Sequence, residues 1–167
     1  MIAWGVDPGT EQSASVIFDG VSICSHFTLP NHELLRQVRL KSPTADVLVL
    51  EKVESFGMAV GMEVFRTVFF SGMCAEAWFP SQVAEMPRRI VKQHLCHTAR
   101  ATDANIRQAL MDRFGGMLSI GVKKTPGPLY GLKGHEWAAF AVAITYFDQH
   151  GHEPIGETIR PNVRGEF

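Results

Sequence analysis

Short apolar runs of strand length fill the first third of this chain, and apolar stripes of helical spacing dominate the rest. Ile2–Val6 is an apolar run that stops at Asp-Pro-Gly, which predicts a first strand and a turn over Asp7–Gln12. Ala14–Phe18 and Val21–Leu29 follow as strands separated by an Asp-Gly turn at Asp19 and Gly20, completing a three-strand antiparallel meander. Pro30–Lys41 fits a short helix started by Asn31. Val47–Leu50 then returns as a fourth strand beside the first, and the crossover implies parallel pairing. Residues 52–60 read as a loop, and Gly61–Trp78 is apolar at helical spacing through Val64, Phe65, Val68, Phe69 and Met73. A short fifth strand is expected at Gln82–Met86, with helices over Arg88–Leu95, Asp103–Phe114 and His135–Gln149.

Two of these strands end in an acid. GVDPGT at residues 5–10 puts Asp7 at the end of the first, and LEKVESFG at residues 50–57 puts Glu51 at the end of the fourth. Neighbouring strands bring the two side by side, where the carboxylates repel unless a cation, a proton or a basic side chain compensates. A hard divalent ion such as Mg²⁺ is the usual partner for such oxygens facing phosphate. Asp-Pro-Gly is also ordinary turn chemistry, since Asp caps its own backbone, Pro fixes φ and Gly supplies a left-handed position. The second acid at the matching strand end is what favours a site.

Length and composition bound the rest. At 167 residues, 46% of them hydrophobic, the chain can bury one core and is too short for two substantial domains. One domain over residues 1–150 and a C-terminal tail over 151–167 are expected. No apolar run approaches the ~20 residues needed to cross a bilayer. The N-terminus lacks the pattern of a secretory signal, so the expected location is the cytoplasm, with no membrane partner. Cys24, Cys74 and Cys96 are odd in number and widely spaced, which reads as reduced core thiols rather than a disulfide framework or a zinc ribbon.

The net charge of -1 hides a basic middle. From Pro87 to Lys133 nine cations stand against two acids, a net +7 that suits phosphate contacts. Arg107 and Arg113 read as solvated helix faces, whereas Lys123 and Lys124 fall in the Pro- and Gly-rich stretch Ser119–Gly134, expected to be a loop beside the site. His94, Cys96 and His97 are spaced too closely at a helix end to converge on zinc. Asp103 reads first as a helix-start residue and second as a metal ligand.

The order of elements, α/β with a mixed five-stranded sheet flanked by helices, resembles the ribonuclease H-like fold. Within it the motifs GVDPGT, LEKVESFGMAVG and GHEWAAFAVAIT, in that order and spanning about Ile2 to Phe147, resemble the RuvC-type Holliday-junction resolvases, especially phage and prophage forms. The resemblance implies a metal-dependent endonuclease that hydrolyses phosphodiester bonds in four-way DNA junctions with two Mg²⁺ ions, for which Mn²⁺ can substitute. Asp7 carries over as the carboxylate bridging both ions and Glu51 as a ligand to one. The family usually supplies two acids spaced three apart at the start of the last helix, and His135 and Ala138 stand at the matching positions here. His135 and Glu136 are therefore the remaining catalytic and metal-ligand candidates. Each also has an ordinary explanation: Glu136 favours the helix macrodipole, and His135 suits a helix start hydrogen-bonded to backbone.

For the nucleic acid the candidates are Lys52, Phe56, Arg88, Arg89, Lys92, Lys123, Lys124 and Tyr130. Phe56 is the residue for which the resemblance implies an aromatic wedge in the junction, with burial in the core as the alternative. The family also implies a homodimer, which suits cutting two symmetric strands, and Gly61–Trp78 is the candidate interface. Nucleases acting on flaps, branched DNA or structured RNA share this fold and these acids. Ala138 keeps open a catalytically inactive DNA-binding module. A sugar-kinase or actin-like reading needs a second such domain, which this length does not hold. A protein-interaction domain leaves the two acids unexplained.

Overall fold

A computed structural model of the chain describes residues 1–41, 43–54, 57 and 59–151. The meander expected at the front is present as β1 (Ala3–Asp7), β2 (Gln12–Phe18) and β3 (Ile23–Pro30). Asp19 Oδ1 closes the β2–β3 turn by accepting from the backbone N–H groups of Val21 and Ser22 at 2.8 and 2.7 Å. Helix α1 (Asn31–Leu40) leads to β4 (Val47–Lys52), which pairs parallel to β1. Helix α2 (Met62–Trp78) leads to β5 (Gln82–Pro87), parallel to β4 on its other side. The result is one mixed sheet in the order β3-β2-β1-β4-β5.

Side chains alternate between faces along each strand, so the sheet divides two cores. Trp4, Val6, Leu48 and Leu50 point to one face, where they meet Leu34, Leu35 and Val38 of α1 and Phe70, Cys74 and Trp78 of α2. Ala3, Val47 and Val49 point to the other, covered by α3 (Arg88–Cys96), α4 (Asp103–Arg113) and α5 (Glu136–His150). Helix α5 is buried nearly all round from Glu136 to Tyr146, as its uninterrupted apolar sequence requires. It reaches the sheet closely because Gly5 has no side chain: a Cβ there would lie 2.2 Å from the Ala139 carbonyl oxygen and 2.8 Å from Ala143 Cβ.

Several expectations need amendment. Asn31 opens α1 without capping it, because its side chain is used elsewhere, as described below. In α4 the N-cap is Thr102, in a reciprocal capping box with Asn105, and Asp103 is the first helical residue. The Ser119–Gly134 stretch is more ordered than its Pro and Gly content suggests. It begins at the end of a 3₁₀ turn (Gly116–Ser119) and holds a small hairpin of β6 (Gly121–Val122) and β7 (Thr125–Pro126). Gly121, at φ +65°, allows the hairpin, since a Cβ there would meet the Thr125 carbonyl oxygen at 2.3 Å. Only Cys74 is a buried core thiol; Cys24 is exposed and Cys96 half-buried. Arg107 stacks over Trp137 at 4.8 Å and Arg113 pairs with Asp148, so neither is simply a solvated face. Among the described residues no helix is long and apolar enough to cross a membrane. Almost all of the expected tail, residues 152–167, lies outside the described residues, as do Phe56 and Met58.

Candidate active site

Val6 of β1 stands opposite Leu50 of β4, so Asp7 and Glu51 are the next residues of two adjacent parallel strands. Alternation sends both side chains to the face covered by α5. Both are largely buried, at 17% and 12% side-chain exposure. Close packing of α5 on Gly5 brings the start of that helix to the same end of the sheet. His135 Nδ1 lies 2.8 Å from Asp7 Oδ2, with the rest of the ring exposed.

Arg88 begins α3 directly after β5 and completes the cluster. Its Nη1 donates to both oxygens of Glu51 at 2.9 Å, and its Nη2 donates to Asp103 Oδ1 at 2.5 Å. Burial is the main reason that Asp7 sits above the usual carboxylate range, against the hydrogen bond and charge of His135. Burial and then the Asp7 carboxylate push Glu51 up to about 7, against the pull of Arg88. Two acids that resist joint ionisation mark a place that gains from positive charge.

The oxygens of this cluster are turned onto Arg88 and His135. Among the described residues no three His, Cys, Asp or Glu side chains are arranged to hold an ion. In kind the donor set nevertheless fits a hard divalent cation. Asp7 and Glu51 offer carboxylate oxygens and His135 an imidazole, while the guanidinium already supplies the positive charge these acids require.

The loop after Asp7 is held rigidly. Gly9 N–H donates to Ser13 Oγ, Ser13 Oγ–H donates to Asn31 Oδ1, and Asn31 Nδ2–H donates back to the Gly9 carbonyl. Asp-Pro-Gly is thus a turn and a site edge at once. A groove of 570 Å³ runs from Asp7 and His135 across Pro8–Gln12 to Thr28 and Pro30.

Glu136 is not brought to this cluster. It is 1% exposed, and its carboxylate takes hydrogen bonds from Thr28 Oγ1 at 3.1 Å and Lys133 N–H at 3.2 Å, with His26 Nδ1 at 2.9 Å. One residue along a helix turns a side chain by about 100°, which sends Glu136 toward β3 while His135 meets Asp7. It ties the first turn of α5 to the sheet. His26 and Thr28 went unnoticed in the sequence because nothing in an alternating edge strand distinguishes them. Asp103 carried a helix-start reading first and a metal role second, and Arg88 a phosphate-contact reading. The missing signal was register: Met86 stands opposite Glu51, so a long cation two residues later falls beside that acid.

The remaining nucleic-acid candidates are more dispersed. Lys52 pairs with Glu85 at 3.2 Å and Arg89 with Glu54 at 3.7 Å, both at the β4–β5 end of the site. Lys92 lies on α3. Lys123 and Lys124 form the exposed turn of the β6–β7 hairpin, and Tyr130 lines a second pocket with Cys24, Ser25 and His26 of β3. Tyr130 therefore lies along the β3 edge, and Pro126 of the hairpin lines the same pocket.

The raised Glu51 pKa carries a prediction for the metal-free protein. A carboxyl moved from 4.5 to about 7 on folding favours the native state most fully below pH 4.5 and loses that contribution as pH rises through 7. At ~1.4 kcal/mol per unit the effect is at most about 3 to 4 kcal/mol. Thermal unfolding in EDTA between pH 5 and 8 is expected to show falling stability that Glu51→Gln flattens; equal slopes in both proteins would contradict it.

The sheet order, the helices on both faces and the paired strand-end acids define a ribonuclease H-like fold, as the sequence motifs implied. Within that class the chain is similar to RuvC. A structure of Thermus thermophilus RuvC matches it with a TM-score of 0.63 at 16% identity, covering 90% of this chain and 97% of that one. T. thermophilus RuvC in complex with a Holliday junction substrate matches with a TM-score of 0.67 at 17% identity, covering 90% and 96%. At such identities the likeness is one of fold. No protein-family model and no curated protein matches the sequence.

Proposed function

We propose that this protein is a metal-dependent, structure-selective endonuclease that cleaves four-way DNA junctions. The observation that carries the reading is the pair Asp7 and Glu51, buried on adjacent strand ends of a RuvC-like fold, with Asp7 lining an open groove. Asp7 and Glu51, with His135 beside them, would hold Mg²⁺ or Mn²⁺. Two bound ions would supply activation of a water and stabilisation of the departing 3′ oxygen, so that no covalent enzyme intermediate would be needed. Asp7 orients His135 through Nδ1, leaving Nε2 as the ring atom that would either face a bound ion or, unligated, pass a proton beside the scissile phosphate. Glu136 keeps α5, and hence His135, in place.

Lys52, Arg89 and Lys92 are proposed to meet DNA backbone near the β4–β5 end, with Lys123, Lys124 and Tyr130 contacting an arm along the β3 edge. A homodimer suits the two-fold substrate. Helix α2 supports it: Thr67, Phe70, Cys74 and Trp78 are buried, while Met62, Phe65, Val68 and Phe69 form an exposed apolar stripe. Replacing Phe65 and Phe69 by Asp is expected to give a monomer by sedimentation that still folds; a persisting dimer would remove this face from the interface.

The substrate is tested by incubating the protein and Mg²⁺ with a four-way junction alongside matched duplex, flap, single-strand and structured-RNA controls. Preferred cutting of the junction supports the proposal. Preferred cutting of another structure keeps the nuclease and replaces its substrate, and binding without cutting favours the inactive module.

A further inference from the structure

One cation of the chain already occupies Glu51, one of the two carboxylates that a metal would need. Arg88 is fixed at the start of α3 by β5, and its guanidinium spans Glu51 and Asp103 through three hydrogen bonds of 2.9, 2.9 and 2.5 Å. A guanidinium presents its donors in a rigid planar fork, so binding both acids at once fixes their oxygens around it. Asp103 is otherwise a mostly exposed helix-start residue whose helix is capped by Thr102, so capping does not explain where its side chain points.

We infer that Arg88 is a built-in counter-cation that competes with the divalent ion for Glu51, with Asp103 as its second anchor, so that the site loads only as Arg88 is displaced. This rests on the metal-dependent reading above. With Arg88 in place, the repulsion between Asp7 and Glu51 is offset without any ion, and the metal-free protein can fold with its acids assembled. With Arg88 displaced, Glu51 regains both oxygens. The cost of displacement lowers apparent metal affinity, as for any ligand whose competent state must first be populated.

Mn²⁺ binding to the full chain without DNA, followed by loss of the free-ion EPR signal, tests this in wild type, Arg88→Gln and Arg88→Lys. Arg88→Gln is expected to bind Mn²⁺ at least about fivefold more tightly, the low end of ordinary coupling between two equilibria. Arg88→Lys is expected to lie between, because an ammonium keeps the charge and loses the fork. Mn²⁺ should also raise the melting temperature of Arg88→Gln more than that of wild type. Equal or weaker binding by Arg88→Gln, with wild type binding Mn²⁺, overturns the competition and makes Arg88 a support of the metal site. Where Arg88→Gln does not fold, the Lys variant decides in the same way. Absence of Mn²⁺ binding by folded wild type and variants alike overturns the metal-dependent reading itself, and the competition with it.

Discussion

Asp7→Asn is expected to reduce cleavage of a four-way junction by at least about a thousandfold, beyond the 10–100-fold typical of outer partners of a metal. The amide keeps the size and one oxygen of the carboxylate and loses its charge, so the buried pair with Glu51 no longer offers two anions to a cation. Folding is not expected to suffer. Glu51 is raised in part by the Asp7 charge, and removing that charge relieves the repulsion between them. The melting temperature in EDTA should therefore equal or exceed that of wild type, and junction binding measured by gel shift should persist. A variant with normal turnover would exclude Asp7 from the chemistry. One that has lost both melting transition and activity would show a structural residue instead.

Gly5→Val should unfold the protein at a temperature lower by at least about 6 °C, the equivalent of ~3 kcal/mol in a domain of this size. The first atom of the new side chain would fall 2.2 Å from a backbone oxygen of α5. A backbone atom inside a buried helix cannot swing aside as a flexible side chain can, so the whole helix must move off β1. His135 rides on the start of that helix, and its contact with Asp7 is lost along with packing. Gly72→Ala serves as the control, because a Cβ there meets nothing within 4 Å and alanine favours a helix. Equal melting temperatures for wild type and Gly5→Val would contradict the close approach of α5 to the sheet.

Much of this arrangement was legible because it depends on periodicity. The run Ile2–Val6 and the DVLVL segment read as buried strands by their short length and flanking turn signals, and an acid directly after each marked where Asp7 and Glu51 would stand. Parallel pairing followed from the crossover, which set both acids at one end of the sheet. Long-range side-chain partners were less legible. That Arg88 bridges Glu51 and Asp103 depends on β5 lying next to β4 and on α4 starting beside α3, neither of which a local pattern encodes. Glu136 shows the same limit. Its place at a helix start predicted exposure to the macrodipole, whereas the rotation of α5 against β3 buries it on His26 and Thr28. The His135 and Ala138 pair drew attention to the gap at the start of the last helix. Asp103, arriving from another helix, lies beyond what spacing along α5 can reveal.

Mapping the products formed on a four-way junction in Mg²⁺ and in EDTA tests the proposed activity most directly. Hydrolysis at the Asp7–Glu51 site predicts paired, symmetric nicks that require the ion and leave 3′-hydroxyl and 5′-phosphate ends that DNA ligase can seal. Nicks that persist in EDTA, or a junction that is bound and never cut in Mg²⁺ or Mn²⁺, would contradict it.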